Sequence, residues 1–305
     1  MDSDLSRDDS RKVRTASTRG LPSSRTPVLR RIARVPVLGR GILFWYRLGS
    51  GLSATREPAL SFLSWLFTSR EYTNYTYDLT DLNKRHLGAF VSVISLISPD
   101  RALEFIAELD RDEDLKSHIR EVISNSGDGC FADRDIKFGR RLGWYAITRA
   151  LKPRCVVETG VDKGLGACAL TAALCRNEQE GSPGFYFGTD LNLRAGYLLK
   201  GRFAQRAKVL YGDSIESLRV LDQEIDLFIN DSDHSPTYER EEYQAIENKL
   251  SQRAIVLSDN AHHTGELMRF ASRTRRAFLF FQERPHQHWY RGAGIGAAFP
   301  HPGLL

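Results

Sequence analysis

The sequence predicts an α/β fold in which a mostly parallel sheet ends in an antiparallel hairpin. Short apolar runs alternate with helical stretches after residue 131, and strands separated by helices form parallel sheets. The last two runs are joined only by the ten-residue segment QERPHQHWYR, which leaves no room for a crossover helix, so we expect them to pair antiparallel. The predicted strands are 155–157, 185–188, 208–211, 225–229, 254–257, 277–281 and 292–299.

The chain before the sheet is predicted to have two parts. Residues 1–27 are rich in Ser, Arg, Asp, Thr and Pro and have few large apolar side chains, so we expect a disordered basic tail. Residues 28–130 are predicted to form a helical region, because apolar residues recur at helical spacing from 81 to 125. A second helix is expected to start at Ser98 and to continue to about residue 125. The sheet domain then occupies 131–305.

Residues 28–70 interleave arginines with Val, Leu, Ile, Phe and Trp, and Pro36, Gly39 and Gly41 are expected to interrupt the segment. Two interpretations fit this pattern. It suits peripheral contact with an anionic membrane surface, which would place the protein at the inner face of the membrane. It also suits a helix that docks on the body of the protein or on a second copy in a homo-oligomer.

The composition narrows the class of protein. No apolar run approaches the about 20 residues of a membrane span, and the first residues lack the apolar core of a secretory signal. The four cysteines show no zinc-ligand spacing, so we expect reduced thiols in a cytoplasmic protein. Residues 1–40 hold ten Lys/Arg and four Asp/Glu, so the rest of the chain is near neutral and a nucleic-acid partner is not expected.

A glycine-rich turn follows the first predicted strand, in the segment VVETGVDKGLGA. Gly160, Gly164 and Gly166 would let backbone N–H groups approach a ligand closely. Glu158 precedes the first glycine by two residues, and its carboxylate would repel a pyrophosphate at this position. It suits the ammonium and sulfonium of S-adenosylmethionine, so we predict that this cofactor binds here.

Acidic residues also end the next two strands. Asp190 ends the second strand, where a carboxylate can accept hydrogen bonds from both ribose hydroxyls. Asp213 and Ser214 follow the third strand, where the adenine edge would lie. Each acid could instead be a helix cap or a turn residue. Because all three strand ends face the crevice where open α/β sheets bind ligands, the set predicts a cofactor site.

The fourth and fifth strands are followed by a second polar group. Asp231 and Asp259 lie at neighbouring strand tips, and with the carbonyl oxygen of Asn260 they form an all-oxygen set suited to Mg²⁺. Such a metal would lower the pKa of an acceptor hydroxyl, so Asp231 is predicted to be catalytic as well as a ligand. His234 lies one turn further on and could take the hydroxyl proton as general base. In the structural alternative the two acids cap helices, Asn260 makes a turn, and His234 is a packed side chain.

Together these segments resemble the class I O-methyltransferases, which carry a Rossmann-like sheet. Residues 138–299 look like the bacterial macrocin-type and cephalosporin-hydroxylase-like group: VVETGVDKGLG matches the cofactor loop, GTDLN the ribose acid and GDS the adenine-side turn. FINDSDHSPTYE is similar to the group's IDGDHSYE, with Asn230 and Ser232 as departures. SDN at 258–260 resembles the Asp-Asn pair of the cation-dependent catechol enzymes, in which a lysine base stands at the position of His234.

Three functions therefore compete. The first is a divalent-metal-assisted O-methyltransferase that acts on a hydroxyl of a sugar, glycolipid or secondary metabolite. The second is a nicotinamide-dependent oxidoreductase or epimerase, which would call for a pyrophosphate-friendly loop and commonly a Tyr-x-x-x-Lys pair; no tyrosine of this chain has a lysine four residues later. The third is a non-catalytic, membrane-associated scaffold that keeps the fold.

Overall fold

The computed structural model describes residues 35–72 and 75–300. The chain divides into two compact units, one of Met1–Thr68 with Gln287–Trp289 and one of Ser69–His286 with Tyr290–Leu305. The predicted disordered tail, residues 1–27, lies outside the described residues, as does the start of the arginine-rich segment.

Among the described residues of the first unit, one helix of 33 residues, α1, spans Pro36–Thr68. The prediction that Pro36, Gly39 and Gly41 interrupt this segment is wrong. Proline is tolerated in the first turn of a helix because the N–H that it lacks would have no intrahelical acceptor there. Each glycine weakens the helix by only about 1 kcal/mol. The aromatic rings of Phe62 and Trp65 pack against Trp289, with centroids 5.4 Å and 5.3 Å from that of Trp289.

Three short helices begin the second unit, where two had been predicted. They are α2 over Asp81–Ser95, α3 over Pro99–Asp110 and α4 over Glu113–Asn125. The helix that starts at Ser98 does not continue to residue 125, because the Asp112 side chain accepts a hydrogen bond from the Leu115 N–H and caps a new helix. Ser98 caps α3 as predicted, and its hydroxyl accepts from the Arg101 N–H.

A seven-stranded sheet with its helices makes up the rest of this unit. The strands are β1 (Cys155–Thr159), β2 (Phe185–Asp190), β3 (Ala207–Tyr211), β4 (Ile225–Asn230), β5 (Leu250–Ser258), β6 (Ala277–Gln282) and β7 (Gly294–Phe299). The helices are α5 (Arg141–Leu151), α6 (Leu165–Gln179), α7 (Ser214–Val220), α8 (Pro236–Ile246) and α9 (Glu266–Arg273).

The strand order is β3-β2-β1-β4-β5-β7-β6, with five parallel strands and β7 antiparallel to both β5 and β6. The predicted parallel sheet and its antiparallel hairpin are confirmed. Alternate residues of each strand face opposite layers: Leu227 and Ile229 of β4 lie in the core shared with α5 and α6, whereas Phe228 packs with Tyr243 of α8. The order reverses beside β1, and this switch point opens a crevice at the carboxyl ends of β1 and β4.

The boundary predicted at residue 130 does not coincide with a division between the compact units, because the second unit begins at Ser69. Leu87, Phe105 and Leu115, from α2, α3 and α4, are buried in the same core as Trp144 of α5. An ion pair also joins α3 to α5, with Arg149 Nε 2.7 Å from Glu108 Oε1. The three helices are therefore part of the sheet domain.

Candidate active site

A cleft of about 420 Å³ opens at the carboxyl ends of the first four strands. Six of the seven residues predicted to bind the cofactor line this cleft, and so does the predicted catalytic acid Asp231. They are Glu158, Gly160, Gly166, Asp190, Asp213 and Ser214. Tertiary structure thus brings together side chains that are up to 73 positions apart in the chain (231 − 158 = 73).

Glu158 lies at the bottom of the cleft with only 1% of its surface exposed. Burial raises the pKa of its carboxyl to about 7, although the hydrogen bond donated by the Tyr186 hydroxyl and the nearby charges of Arg141 and Arg140 oppose the shift. A buried carboxyl with this pKa can ionise at neutral pH when a cation is placed beside it.

The glycines of the loop have different roles. Gly160 has φ +82°, and a Cβ there would overlap the Asp231 carbonyl oxygen and lie 2.9 Å from Cα of Ser232. Gly166 lines the cleft, and a Cβ there would overlap the Glu158 carboxylate. Gly164, with φ +97°, is outside the cleft lining and faces the backbone of Gly196, so its predicted contact with the ligand is replaced by a packing role.

Asp190 connects the second strand to the glycine loop. Its Oδ2 accepts a hydrogen bond of 2.9 Å from the Asp162 N–H, and its Oδ1 accepts one of 2.8 Å from the Asn192 N–H. The two backbone donors fix the carboxylate at the rim of the cleft, where it keeps further acceptor capacity for a ligand.

Asp213 and Ser214 make structural hydrogen bonds and also lie in the cleft where the sequence predicts contact with the cofactor. Asp213 caps α7, since its Oδ1 accepts from the Glu216 N–H at 3.0 Å, and its Oδ2 accepts from the Tyr238 hydroxyl at 3.0 Å. The Ser214 hydroxyl is bonded to Glu242 and lies 2.9 Å from the Tyr238 hydroxyl. The cap interpretation therefore holds for Asp213, and because both residues line the cleft, their contact with a cofactor stays a prediction.

The buried carboxylate of Glu242 was missed by sequence reasoning. It accepts hydrogen bonds from Thr159 at 3.1 Å, from Ser232 at 2.8 Å and from Asn230. It therefore joins the ends of β1 and β4 to helix α8. The only signal in the sequence was an acid on the apolar face of TYEREEYQAI, next to Tyr243.

A second missed residue, Arg140, lies between the two acids of the predicted metal site. Its Nε is 2.6 Å from Oδ1 of Asp259, and one of its terminal nitrogens is 3.7 Å from Oδ2 of Asp231. Burial alone would lower the pKa of this guanidinium, but the charges of Asp259 and Asp231 hold it well above its usual range. Burial and the charge of Asp259 in turn raise the pKa of Asp231 well above its usual range.

His234 is held between an acid and an amide. Its Nδ1 lies 3.4 Å from Oε1 of the buried Glu239, and its Nε2 lies 3.1 Å from the amide nitrogen of Asn260. Both contacts agree with a ring that carries its N–H on Nδ1 and accepts from the Asn260 amide at Nε2. Nε2 is also 3.9 Å from Oδ1 of Asp231, and Asp231 lines the cleft.

Asn260 departs from its predicted role as an oxygen ligand. It has φ +52°, a turn conformation, and its amide nitrogen lies 3.0 Å from Oδ2 of Asp259 as well as near His234. Within residues 35–72 and 75–300, Asp231, His234 and Asp259 form the group that could hold a metal ion, with one ligand atom of each within 4.8 Å of the others.

The fold and the cleft agree with a comparison of protein families. Residues 157–261 match the family model described as a methyltransferase domain. This segment is a methyltransferase domain. The matched segment contains the glycine loop and all of the acids described above. The match agrees with the predicted methyltransferase class and favours it over a nicotinamide-dependent enzyme, whereas S-adenosylmethionine as the cofactor stays a prediction.

Solved structures of similar fold have low sequence identity to this chain. An O-methyltransferase from Bacillus cereus, in complex with SAH, is 15% identical, with 60% of this chain and 91% of that chain covered at a TM-score of 0.48. The O-methyltransferase TomG from Streptomyces achromogenes, in complex with SAM, is 15% identical, with 65% and 94% covered at a TM-score of 0.48. The methyltransferase PaMTH1 from Podospora anserina, bound to SAH, is 15% identical, with 75% and 100% covered at 0.42. No curated protein matches the sequence.

Proposed function

We propose that this methyltransferase transfers the methyl group of S-adenosylmethionine to a hydroxyl oxygen of a small-molecule or glycan acceptor. The observation that carries the proposal is the position of His234, whose Nε2 lies beside Asp231 at the edge of the cofactor cleft. A hydroxyl is a weak nucleophile and needs a group that takes its proton, and a neutral imidazole is suited to that task.

In this proposal the cofactor lies across the ends of the first three strands. Glu158 faces the cationic methionine end, Asp190 accepts the ribose hydroxyls, and Asp213 and Ser214 border the adenine. The acceptor then enters next to Asp231, with its hydroxyl within reach of His234. Holding both reactants in this order lowers the entropic part of the barrier to in-line methyl transfer.

Glu239 has a positioning role in the same proposal. Its carboxylate is fully buried, receives a hydrogen bond from the Thr264 hydroxyl and faces Nδ1 of His234. A buried acid on Nδ1 holds the N–H on that nitrogen and supports the positive charge that develops when Nε2 takes a proton.

The acids at the strand tips also fit a divalent cation. Asp231 and Asp259 are the hard oxygen donors that Mg²⁺ prefers, and Arg140 neutralises only one oxygen of Asp259 at close range. Asn260 would complete the set with its oxygen after a rotation of its amide group. When bound, such a cation lowers the pKa of the acceptor hydroxyl. The fit of these residues supports a metal-assisted reaction, in which His234 stays free to take the proton.

The direct test is methyl transfer from S-adenosylmethionine labelled in its methyl group to a panel of sugars, glycolipids and phenols. We expect a methyl ether as product. His234→Ala is expected to reduce turnover by about 10²-fold or more while S-adenosylmethionine still binds. His86→Ala, which alters an exposed histidine on α2, is the matched control. Product methylated on nitrogen, or unchanged turnover of the His234 variant, would contradict the proposal. Cofactor binding without turnover of any acceptor would favour the scaffold alternative.

The metal is tested separately by calorimetric titration with Mg²⁺. We expect binding to be lost in Asp231→Asn and kept in Asp222→Asn, which alters an exposed acid away from the cleft. Full turnover after treatment with a chelator would refute metal assistance and leave Arg140 as the cation that serves these acids.

A further inference from the structure

Helix α1 exposes most of its large apolar side chains to solvent. Trp45 is 69% exposed and Phe67 is 87% exposed, and the other exposed large apolar residues are Leu43, Phe44, Tyr46, Leu48, Leu52, Leu60, Phe62, Leu63 and Leu66. Large exposed apolar patches are rare on monomeric soluble proteins and mark interaction sites. The helix therefore has an apolar surface that calls for a covering partner.

The apolar residues are concentrated at the two ends of the helix. The first group, ILFWY at 42–46, is a consecutive run and so covers the helix on all sides, and the second group occupies 60–67. The middle, GSGLSATREPA, is mainly small or polar and includes Arg56 and Glu57. Among the described residues, no helix is both long and apolar enough to cross a bilayer. The first group, with its adjacent Trp and Tyr, has the composition of a segment that lies at a membrane–water interface.

The charge around the first apolar group is of one sign. Residues 10–56 contain eleven Lys/Arg and no Asp/Glu. Arg40 and Arg47 flank the first apolar group and are seven residues apart, so they differ by only about 20° around the helix axis. Both are exposed. An arginine beside an aromatic segment can place its stem along apolar surface and its guanidinium on a phosphate.

We propose that α1 binds the surface of an anionic phospholipid bilayer. The aromatic side chains at 44–46 insert at the level of the headgroups, and Arg40 and Arg47 contact lipid phosphates. This proposal is independent of the methyl acceptor, because it rests only on the exposure and the charge of the first unit. It places the enzyme where acceptors held in the membrane would be within reach.

Charge argues against a second copy of the chain as the partner. A parallel pair of α1 helices would bring two arginine-rich ends together without an acid to neutralise them. An antiparallel pair in full overlap would place Arg47 opposite Glu57 but Arg40 opposite Ser64 in the second apolar group, so Arg40 would still lack a negative partner. An anionic surface supplies the missing negative charge in either orientation.

The test is co-sedimentation of the full-length protein with phosphatidylcholine vesicles, with and without about a quarter phosphatidylglycerol. We expect at least tenfold more bound protein on the anionic vesicles. Binding should weaken when the salt is raised from about 0.1 M to about 1 M, because the Debye length falls from about 10 Å to about 3 Å. Tryptophan emission should shift to the blue on binding, and Trp45→Phe should remove most of that shift while binding persists.

Two double variants, each with a matched control, distinguish the contribution of the arginine charges to vesicle binding from that of apolar insertion. Arg40→Gln with Arg47→Gln should reduce binding about tenfold, whereas Arg154→Gln with Arg219→Gln, which alters two exposed arginines of the second unit, should leave it unchanged. Phe44→Ser with Trp45→Ser should also reduce binding, and Val220→Ser with Met268→Ser is the matched control at exposed positions. Equal binding to neutral and anionic vesicles would overturn the proposal, as would no binding at all. A dimer that dissociates in Phe44→Ser with Trp45→Ser, without vesicle binding, would instead identify a second copy as the partner.

Discussion

The Nε atom of Arg140 lies 2.6 Å from Oδ1 of Asp259, at the end of β5. Asp259 is fully buried and Arg140 is 7% exposed, so each is the other's close counter-charge in a region from which water is largely excluded. The same guanidinium is 3.7 Å from Asp231, and it therefore offsets part of the repulsion between the two acids.

Replacing the guanidinium is expected to destabilise the fold. Arg140→Gln leaves Asp259 buried without a close cation, and removal of one partner of a buried ion pair costs about 3–5 kcal/mol. Urea denaturation measures the change in the free energy of unfolding. The control Arg154→Gln removes an ion pair with Glu224 that is exposed on both sides, where the expected loss is about 1 kcal/mol or less. Adding Asp259→Asn to Arg140→Gln should restore part of the loss, and a double variant no more stable than the single one would argue against the pair.

The pKa of Glu158 predicts a pH dependence of stability. Its pKa is raised from 4.5 to about 7 in the folded protein, so the fold binds a proton that the unfolded chain has released. Stability without cofactor should therefore fall as the pH rises from about 4.5 to about 7 and then level off. Relative to Glu158→Gln, the expected fall in unfolding free energy is about 3 kcal/mol. Glu283, whose pKa is also about 7, acts in the same direction in both proteins and cancels in this comparison.

The same carboxyl should make cofactor binding depend on pH. In the proposed function the ionised form of Glu158 pairs with the cationic end of S-adenosylmethionine, so we expect affinity to increase as the pH rises through about 7. Calorimetric titrations on both sides of this pH measure the effect. Glu158→Gln should bind weakly with little dependence on pH in this range, and a wild-type affinity that is constant across it would contradict the assignment.

Glu239→Gln tests whether this acid positions His234. The variant loses the carboxylate that faces Nδ1, so both tautomers of the ring become populated and we expect turnover to fall about 10- to 100-fold. Glu239→Asp should recover part of the activity, and cofactor affinity should stay unchanged. Nitrogen-15 spectra of labelled histidine, assigned with His234→Ala, report the tautomer directly. Glu241→Gln changes an exposed acid of the same helix and should have no effect.

Gly160 and Gly181 have nearly the same φ angle, so alanine at each position distinguishes the cost of the left-handed backbone from the cost of steric overlap. Gly160 has φ +82° and a Cβ there would overlap the Asp231 carbonyl, whereas Gly181 has φ +83° and open space around it. Alanine at either position incurs the left-handed backbone cost of about 1–2 kcal/mol. Gly160→Ala should lose additional stability in thermal unfolding and should also lose cofactor affinity. Equal losses for the two variants would mean that the loop moves freely away from β4.

Periodic features of the sequence were sufficient to predict most of the sheet. Each predicted strand corresponds to an observed one, and the ends differ by no more than four residues: β5 begins at Leu250, four positions before the predicted 254. The antiparallel pairing of β6 and β7 followed from the short connection alone. The helical region was less accurate, because Asp112 could be interpreted either as an exposed helix residue or as the cap that it is.

Local sequence patterns did not predict which side chains of the site contact one another. Gly164 shares the φ > 0 conformation expected of a loop glycine, but it faces Gly196, and a pattern of glycines does not distinguish a neighbour in the chain from a ligand. Glu239, Glu242 and Arg140 were not predicted as site residues. A charged side chain on a helix is usually exposed, and only its packing reveals that it is buried against another charge.

The sequence by itself determined the α/β class, the glycine loop and the acids at the strand ends, because period, turn glycines and strand-end residues are local properties of a chain. Tertiary structure alone decided that Arg140 stands between Asp231 and Asp259, that Glu239 faces His234, and that α2, α3 and α4 share the core of the sheet domain. These are contacts between distant segments, and which partners meet there depends on how the layers pack rather than on any short stretch of residues.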